Sequence, residues 1–320
     1  MADDIKFTNF DIVDTEYKNI NGVAFKASII TPKHLKKGTR PVIVRWHGGA
    51  LITGHRLFAG WFPNWTLELA QRLGAVIISP DYRLLPEATG LQILDDVKDI
   101  WIWLYKEGSL SGKLPEGVNV DLDHILLTGE SAGGWIAIES ILLEDVPKDK
   151  ISVAVLQYAM LDVGGKHFNE NHHKDLFDPP VPQLPRETLQ RHLDSLKGDE
   201  VITEAMPPVR LDLALSVLQQ GTVGSLIGTD RRIFPYKLLE ERTEDLPPTW
   251  VYHGTDDNVV PIDGSEKFVK IVQRKFPDTS LHVSWPPGHH GFDAHDPAPE
   301  ADDTWLKDGL DFVGRFWPGK

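Results

Sequence analysis

A chain of 320 residues without cysteine can bury a large core, and it excludes disulfides, thiolate catalysis and cysteine-bound zinc. Its formal net charge of −14 argues against nucleic acid and anionic membrane surfaces as partners. No apolar run approaches bilayer-spanning length, and Met1-Ala2-Asp3-Asp4 lacks the basic-then-apolar pattern of a secretory signal, so a soluble protein of a reducing, cytoplasmic compartment is expected.

Strand-like runs over residues 6–13 and 23–30 predict the antiparallel edge of a sheet. Further strands near Val42, Val76, Ile125, Val153, Trp250 and Leu281 alternate with helical stretches over 64–73, 93–106, 134–143 and 266–275. Such alternation specifies an α/β fold, a mainly parallel sheet covered by helices. Residues 164–244 interrupt it with prolines at 179, 180, 182 and 185 and then two helix-like stretches. That predicts a helical cap inserted into one core made of 1–163 and 245–320.

Chemistry-bearing residues sit at the ends of the predicted strands. The strand near Val42 runs into His47-Gly48-Gly49-Ala50, whose glycines let backbone N–H groups of Gly48 and Gly49 point at one spot, as an oxyanion hole requires. The strand near Ile125 runs into Gly129-Glu130-Ser131-Ala132-Gly133, a strand–turn–helix setting that exposes the Ser131 hydroxyl and offers the Ala132 N–H as a further donor. Downstream, Asp256 and Asp257 follow the strand near Trp250, and His289 and His290 follow the strand near Leu281. A carboxylate at a strand end is placed to orient a histidine, and the order Ser, Asp, His is the one that a nucleophile-elbow fold imposes. There is no P-loop and no dinucleotide-binding glycine pattern, and the adjacent His172 and His173 lack a spaced third ligand, so neither a cofactor nor a metal is expected.

Taken together the motifs resemble those of the hormone-sensitive-lipase-like group of α/β-hydrolases. They are His47-Gly48-Gly49-Ala50 with Gly54, Ser79-Pro80-Asp81-Tyr82-Arg83-Leu84-Leu85-Pro86-Glu87, the elbow through Gly134, His253-Gly254 with Asp257 and Val260-Pro261, and His290-Gly291-Phe292. The likeness runs from about Arg40 to the C-terminus, apart from 164–244. It implies an α/β-hydrolase fold in which Asp257, four positions after the strand-end histidine, is the acid and His290 the base, with Asp256 and His289 as the adjacent alternatives. It also implies that the N-terminal arm joins the cap. Two positions depart from the pattern: Ala50 stands where a third glycine is usual, and Trp135 where a small polar residue is common.

The mechanism so implied has Ser131 attack an acyl carbonyl while His290 takes its proton and Asp257 fixes the imidazole, the oxyanion resting on Gly48, Gly49 and Ala132. Water completing the cycle gives a carboxylic-ester hydrolase acting on apolar small molecules. A hydroxyl or amine acceptor gives an acyltransferase or macrolactone-forming cyclase whose acyl group arrives as a thioester on a carrier protein. A non-catalytic receptor is the third alternative, against which all three triad residues stand. Candidates for contact with the substrate are Ala50, Leu51, Trp135, Leu218, Phe234 and Phe292. Trp46, Trp61, Phe62 and Trp65 suggest an aromatic pocket, and Leu213, Leu226, Ile227 and Tyr236 are further cap positions, half or more of which should only pack.

Overall fold

The computed structural model describes residues 3–295 and 304–318. Among these residues eight strands form one sheet in the order β1-β2-β4-β3-β5-β6-β7-β8. They are β1 Phe10–Ile20, β2 Val23–Pro32, β3 Gly38–Trp46, β4 Val76–Pro80, β5 Val118–Glu130, β6 Ile151–Gln157, β7 Thr249–Tyr252 and β8 Leu281–Ser284. β1 and β2 pair antiparallel at one edge, β2 pairs antiparallel with β4, and the remaining pairs are parallel. Continuous apolar sequence such as Val76-Ile77-Ile78 is buried along its whole length, because helices cover both faces of a parallel sheet.

Alternation along β3 shows the two layers. Val42, Val44 and Trp46 face a core shared with helices Gly90–Tyr105 and Ala132–Leu142, whereas Ile43 faces a second core with Phe62, Trp65, Trp250 and Phe312. Full burial of each such aliphatic side chain is worth about 1.5–3 kcal/mol. Helix Gly90–Tyr105 starts at a capping box between Thr89 and Gln92, and helix Asn64–Leu73 stops where Gly74 turns left-handed, at φ 64°.

The first strand lies further along than the sequence predicts. Asp3–Lys6 is a helical turn and β1 begins at Phe10, its polar alternation suiting a half-exposed edge. The arm before it packs on the 59–62 segment, with Lys6 Nζ donating to Ala59 O at 2.9 Å and Phe7 edge-on to Phe62. Helix Thr304–Phe316 is an element that the periodicity reading omits, although Leu306, Gly309, Phe312 and Val313 form a buried stripe at helical spacing.

Register does the work of assembling a site. Trp46 pairs with Gly129, Glu130 with Gln157, Gln157 with Tyr252, and Tyr252 with Ser284. The C-terminal ends of five parallel strands are therefore level, and the segments after them leave from one edge, where open α/β sheets place their ligands. Residues 164–244 lie between β6 and β7 and carry helices Glu187–Ser195, Leu211–Gln220 and Pro235–Glu241.

Candidate active site

Ser131 occupies the turn between β5 and helix Ala132–Leu142 with φ 55° and ψ −119°, a strained conformation for a residue with a side chain. Close packing holds it there. A Cβ on Gly129 would lie 2.1 Å from Gly133 O, and one on Gly133 would lie 2.0 Å from Trp46 O, so both flanking glycines are steric requirements. Ser131 Oγ is 3.0 Å from His290 Nε2, and His290 Nδ1 is 2.7 Å from Asp257 Oδ2.

Asp257 is saturated with partners. Oδ1 accepts from the N–H groups of Val259 and Val260, both at 2.9 Å, and Oδ2 lies 3.2 Å from His253 Nε2 as well as against His290. Burial works against ionisation, but the His290 imidazole and hydrogen bonds from His253 and His290 outweigh it and hold the carboxyl well below the ordinary range. The adjacent candidates face elsewhere. Asp256 accepts from Gly288 N at 3.1 Å, and His289 donates from Nδ1 to Asp256 O at 3.1 Å, both at the exposed surface.

One expected donor is corrected. The Gly48 N–H is bonded to Glu130 Oε1 at 3.1 Å, so it points back at the elbow rather than out at a substrate. The N–H groups of Gly49, Ala50 and Ala132 have no partner among the described residues. Ala50 adopts φ 56° and Leu51 φ 62°, which explains why a third glycine suits this loop. His47 is structural: it is buried, stacks on Tyr82 at 4.4 Å and donates from Nδ1 to Gly48 O, and burial lowers its pKa.

A cavity of about 80 Å³ opens in front of Ser131. Gly49, Ala50, Trp61, Met160, Val259, Val260 and His290 of the core line it, together with Phe177, Leu211, Ala214, Leu215 and Leu218 of the inserted segment. Of the expected contacts Ala50 and Leu218 reach this cavity and four do not. Leu51 is wholly buried in the core behind the loop. Trp135 turns away, donating its indole N–H to Ile233 O at 3.1 Å to fasten its helix to the inserted segment. Phe234 packs against Gly164 and under Lys237, and Phe292 stacks among Tyr158, Tyr252 and Trp305. Trp46, Phe62 and Trp65 are core residues too, and Leu213, Leu226, Ile227 and Tyr236 pack the inserted segment.

Three features were missed in the sequence. His253 Nε2 donates to Val260 O at 2.8 Å and braces Asp257. Asp293, wholly buried, accepts from Tyr158 Oη at 2.8 Å and from Tyr252 Oη, while the Tyr158 ring stands edge-on to His290 at 4.9 Å; burial raises the Asp293 pKa against those hydrogen bonds. Arg45 and Glu130 form an ion pair beneath the loop, and burial pushes the Glu130 carboxyl up to about 7 despite the charge of Arg45. A lone arginine in the apolar run Val42-Ile43-Val44-Arg45-Trp46 was the legible signal, since a buried charge needs a partner. Among the described residues His55, Asp81 and Glu204 have metal-like spacing, but Arg56 already donates to both carboxylates, and no helix is long and apolar enough to cross a membrane.

Comparison with known proteins agrees with this architecture. A family model described as the α/β-hydrolase fold matches residues 43–210. "Probable carboxylesterase M8" of a Phoma species is 35% identical over 320 residues, covering 98% of each chain. "Probable carboxylesterase clz11" of Cochliobolus lunatus is 38% identical over 191 residues, 58% of this chain and 86% of its own. Among solved structures, esterase 2 of Thermogutta terrifontis, phosphonylated by sarin, superposes with a TM-score of 0.60 at 19% identity, covering 95% of this chain and 93% of that one. With fold, strand-end motifs and a full-length relative in agreement, the chain belongs to the α/β-hydrolase fold family, in its hormone-sensitive-lipase-like group.

Proposed function

We propose that the protein is a serine hydrolase that cleaves carboxylic esters of apolar small molecules through an acyl-enzyme. The hydrogen-bonded series Ser131–His290–Asp257, opening on an apolar cavity, carries the reading. Ser131 Oγ attacks the ester carbonyl as His290 Nε2 takes its proton, and Asp257 stabilises the imidazolium through Nδ1. The carbonyl oxygen, now negative, is received by the N–H groups of Gly49, Ala50 and Ala132, each such donor being worth about 10²–10³ in rate. His290 returns the proton to the leaving alkoxide, and the alcohol departs. Water then attacks the acyl-enzyme by the same route, releasing the carboxylic acid and restoring Ser131.

The cavity wall supports the apolar part of this reading and the relatives' names support the ester part. The inserted residues on the cavity are all apolar, so they favour neutral acyl chains, and the Phoma relative's name is that of a carboxylesterase. In this reading residues 164–244 are a cap over the core. The test is direct: Ser131→Ala keeps its melting temperature and loses about 10³-fold or more of its turnover on a p-nitrophenyl ester. A fluorophosphonate labels Ser131 alone. Activity surviving the substitution, or labelling of another serine, overturns the proposal, and transfer to added alcohols in preference to water makes the enzyme an acyltransferase.

A further inference from the structure

Arg45 stands on the face of β3 that carries Ile43, in the layer of Phe62 and Trp65, and it is wholly buried, as is Glu130 to within 2%. A buried ion pair of this kind is a poor device for stability, because desolvating the two charges offsets their attraction and apolar replacements of similar volume often serve as well. This one is also incompletely satisfied: Arg45 Nε and Glu130 Oε2 are buried without partners among the described residues. Its contribution lies in where its bonds go.

One oxygen, Glu130 Oε1, accepts from Arg45 Nη2 and from the Gly48 N–H. Glu130 is the residue before Ser131, so a single carboxylate references the donor loop to the nucleophile. The approach is tight, since a Cβ on Gly48 would lie 3.1 Å from Glu130 O and 3.2 Å from Ser131 Cβ. Arg45 extends the tie outward. Nη1 donates to Arg56 O at 3.2 Å and to Ser79 Oγ at 3.3 Å, Nη2 to Trp61 O at 3.4 Å, and the guanidinium lies 3.9 Å from the Phe62 ring centre. Trp61 is itself a wall of the cavity. The loop beyond Gly48 needs such restraint, because Ala50 and Leu51 are both left-handed, a conformation that persists only where its surroundings over-determine it.

We infer that Arg45 and Glu130 are a positioning pair: Glu130 captures the Gly48 N–H and thereby turns the N–H groups of Gly49 and Ala50 toward the carbonyl that Ser131 attacks, while Arg45 fixes Glu130 and the Trp61 wall in one frame. The inference rests on the ester-hydrolase reading above. It concerns how the oxyanion is received, so the proton-relay residues are outside it.

Four variants of the full chain test it, each followed by thermal melting, by kcat and KM on a p-nitrophenyl ester, and by the rate at which a fluorophosphonate modifies Ser131. Glu130→Leu, which removes the acceptor of Gly48, lowers kcat by about 10²-fold with KM changed by less than about threefold, and slows phosphonylation in step because the phosphoryl oxygen uses the same donors. Arg45→Met leaves a buried carboxylate unpaired and Glu130→Gln leaves a buried guanidinium unpaired, each lowering kcat by about tenfold or more. The double variant Arg45→Met with Glu130→Gln recovers to within about tenfold of the parent, since the glutamine oxygen still accepts from Gly48 and no charge is stranded. It also carries the test if either single variant fails to fold. A folded Glu130→Leu enzyme with kcat within about threefold of the parent, a loss confined to KM, or single losses that simply add in the double variant overturns the inference. Ester-hydrolase failure is separately visible, because then Ser131→Ala retains activity whatever happens at Arg45 and Glu130.

Discussion

Behind His290, on the strand-end side of the site that serves as its floor, Asp257 has partners on both oxygens, whereas the inserted segment, its roof, lines the cavity with Phe177, Leu211, Ala214, Leu215 and Leu218. The roof is tied down elsewhere. Thr53 Oγ donates to Val209 O at 2.7 Å and lies 3.1 Å from Ala205 O, and Arg210 pairs with Glu87 and donates to Ile52 O and Leu85 O. Directional bonds thus define the chemistry, and non-directional packing faces the substrate. Floor substitutions should therefore change kcat on every substrate, while roof substitutions should redistribute kcat/KM among substrates.

The largest effect should come from the floor. His290→Ala and Asp257→Asn are each expected to lower kcat by about 10³–10⁴-fold, while His289→Ala and Asp256→Asn change it by less than about tenfold. Steady-state kinetics on one ester decide this, and a reversed pattern breaks the assignment of the floor. A smaller effect is expected at the roof. Leu218→Ala or Leu215→Ala should alter the ratio of kcat/KM for long and short acyl chains by about tenfold, as one to three methylenes of pocket contact can. Equal losses across an acetyl-to-octanoyl series would erase the distinction between floor and roof.

The smallest effect on activity belongs to helix Ala132–Leu142, which runs behind the floor and is fastened to the inserted segment through Trp135. Glu139 on this helix is wholly buried with neither oxygen partnered among the described residues, and burial raises its pKa well above the usual value. The folded chain therefore keeps the proton that the unfolded chain releases above about pH 4.3. Stability is lost as pH rises from there toward the folded pKa. Glu139→Gln should leave kcat unchanged and be more stable than the parent by about 1–3 kcal/mol at pH 8, with the gap narrowing by pH 5. Denaturant melts at the two pH values check it, and a gap that widens in acid has the wrong sign.

The same division explains what could be read from the sequence. Ser131, Asp257 and His290 were legible because the chemistry demands those residue types at strand ends, and glycines marked the elbow through steric needs that no other residue meets. The direction of the Gly48 N–H is not legible, because sequence shows that an N–H exists and not which way it points; Glu130 sets its direction. The places of Trp135, Phe234 and Phe292 are not legible because an aromatic side chain serves a core as well as a pocket, and the indole of Trp135 finds its acceptor in Ile233 O. Nothing in the sequence distinguishes Asp293, next after His290-Gly291-Phe292, from a solvated aspartate; its bonds to Tyr158 and Tyr252 come only with the tertiary fold. The helix Thr304–Phe316 was readable from its stripe, whereas nothing in the sequence says that Gly309 seats against the Trp250 indole.

The left-handed turn at Ala50 and Leu51 has a kinetic meaning as well as a geometric one. A left-handed residue with a side chain costs about 1–2 kcal/mol, and that cost is met when the chain folds, once in the life of each molecule. A donor array that formed only on contact with an ester would draw its reorganisation energy from every catalytic cycle. In the proposed mechanism, a permanently less comfortable backbone lets the loop present its N–H groups already aligned, and the barrier to acylation is relieved of the work of arranging them.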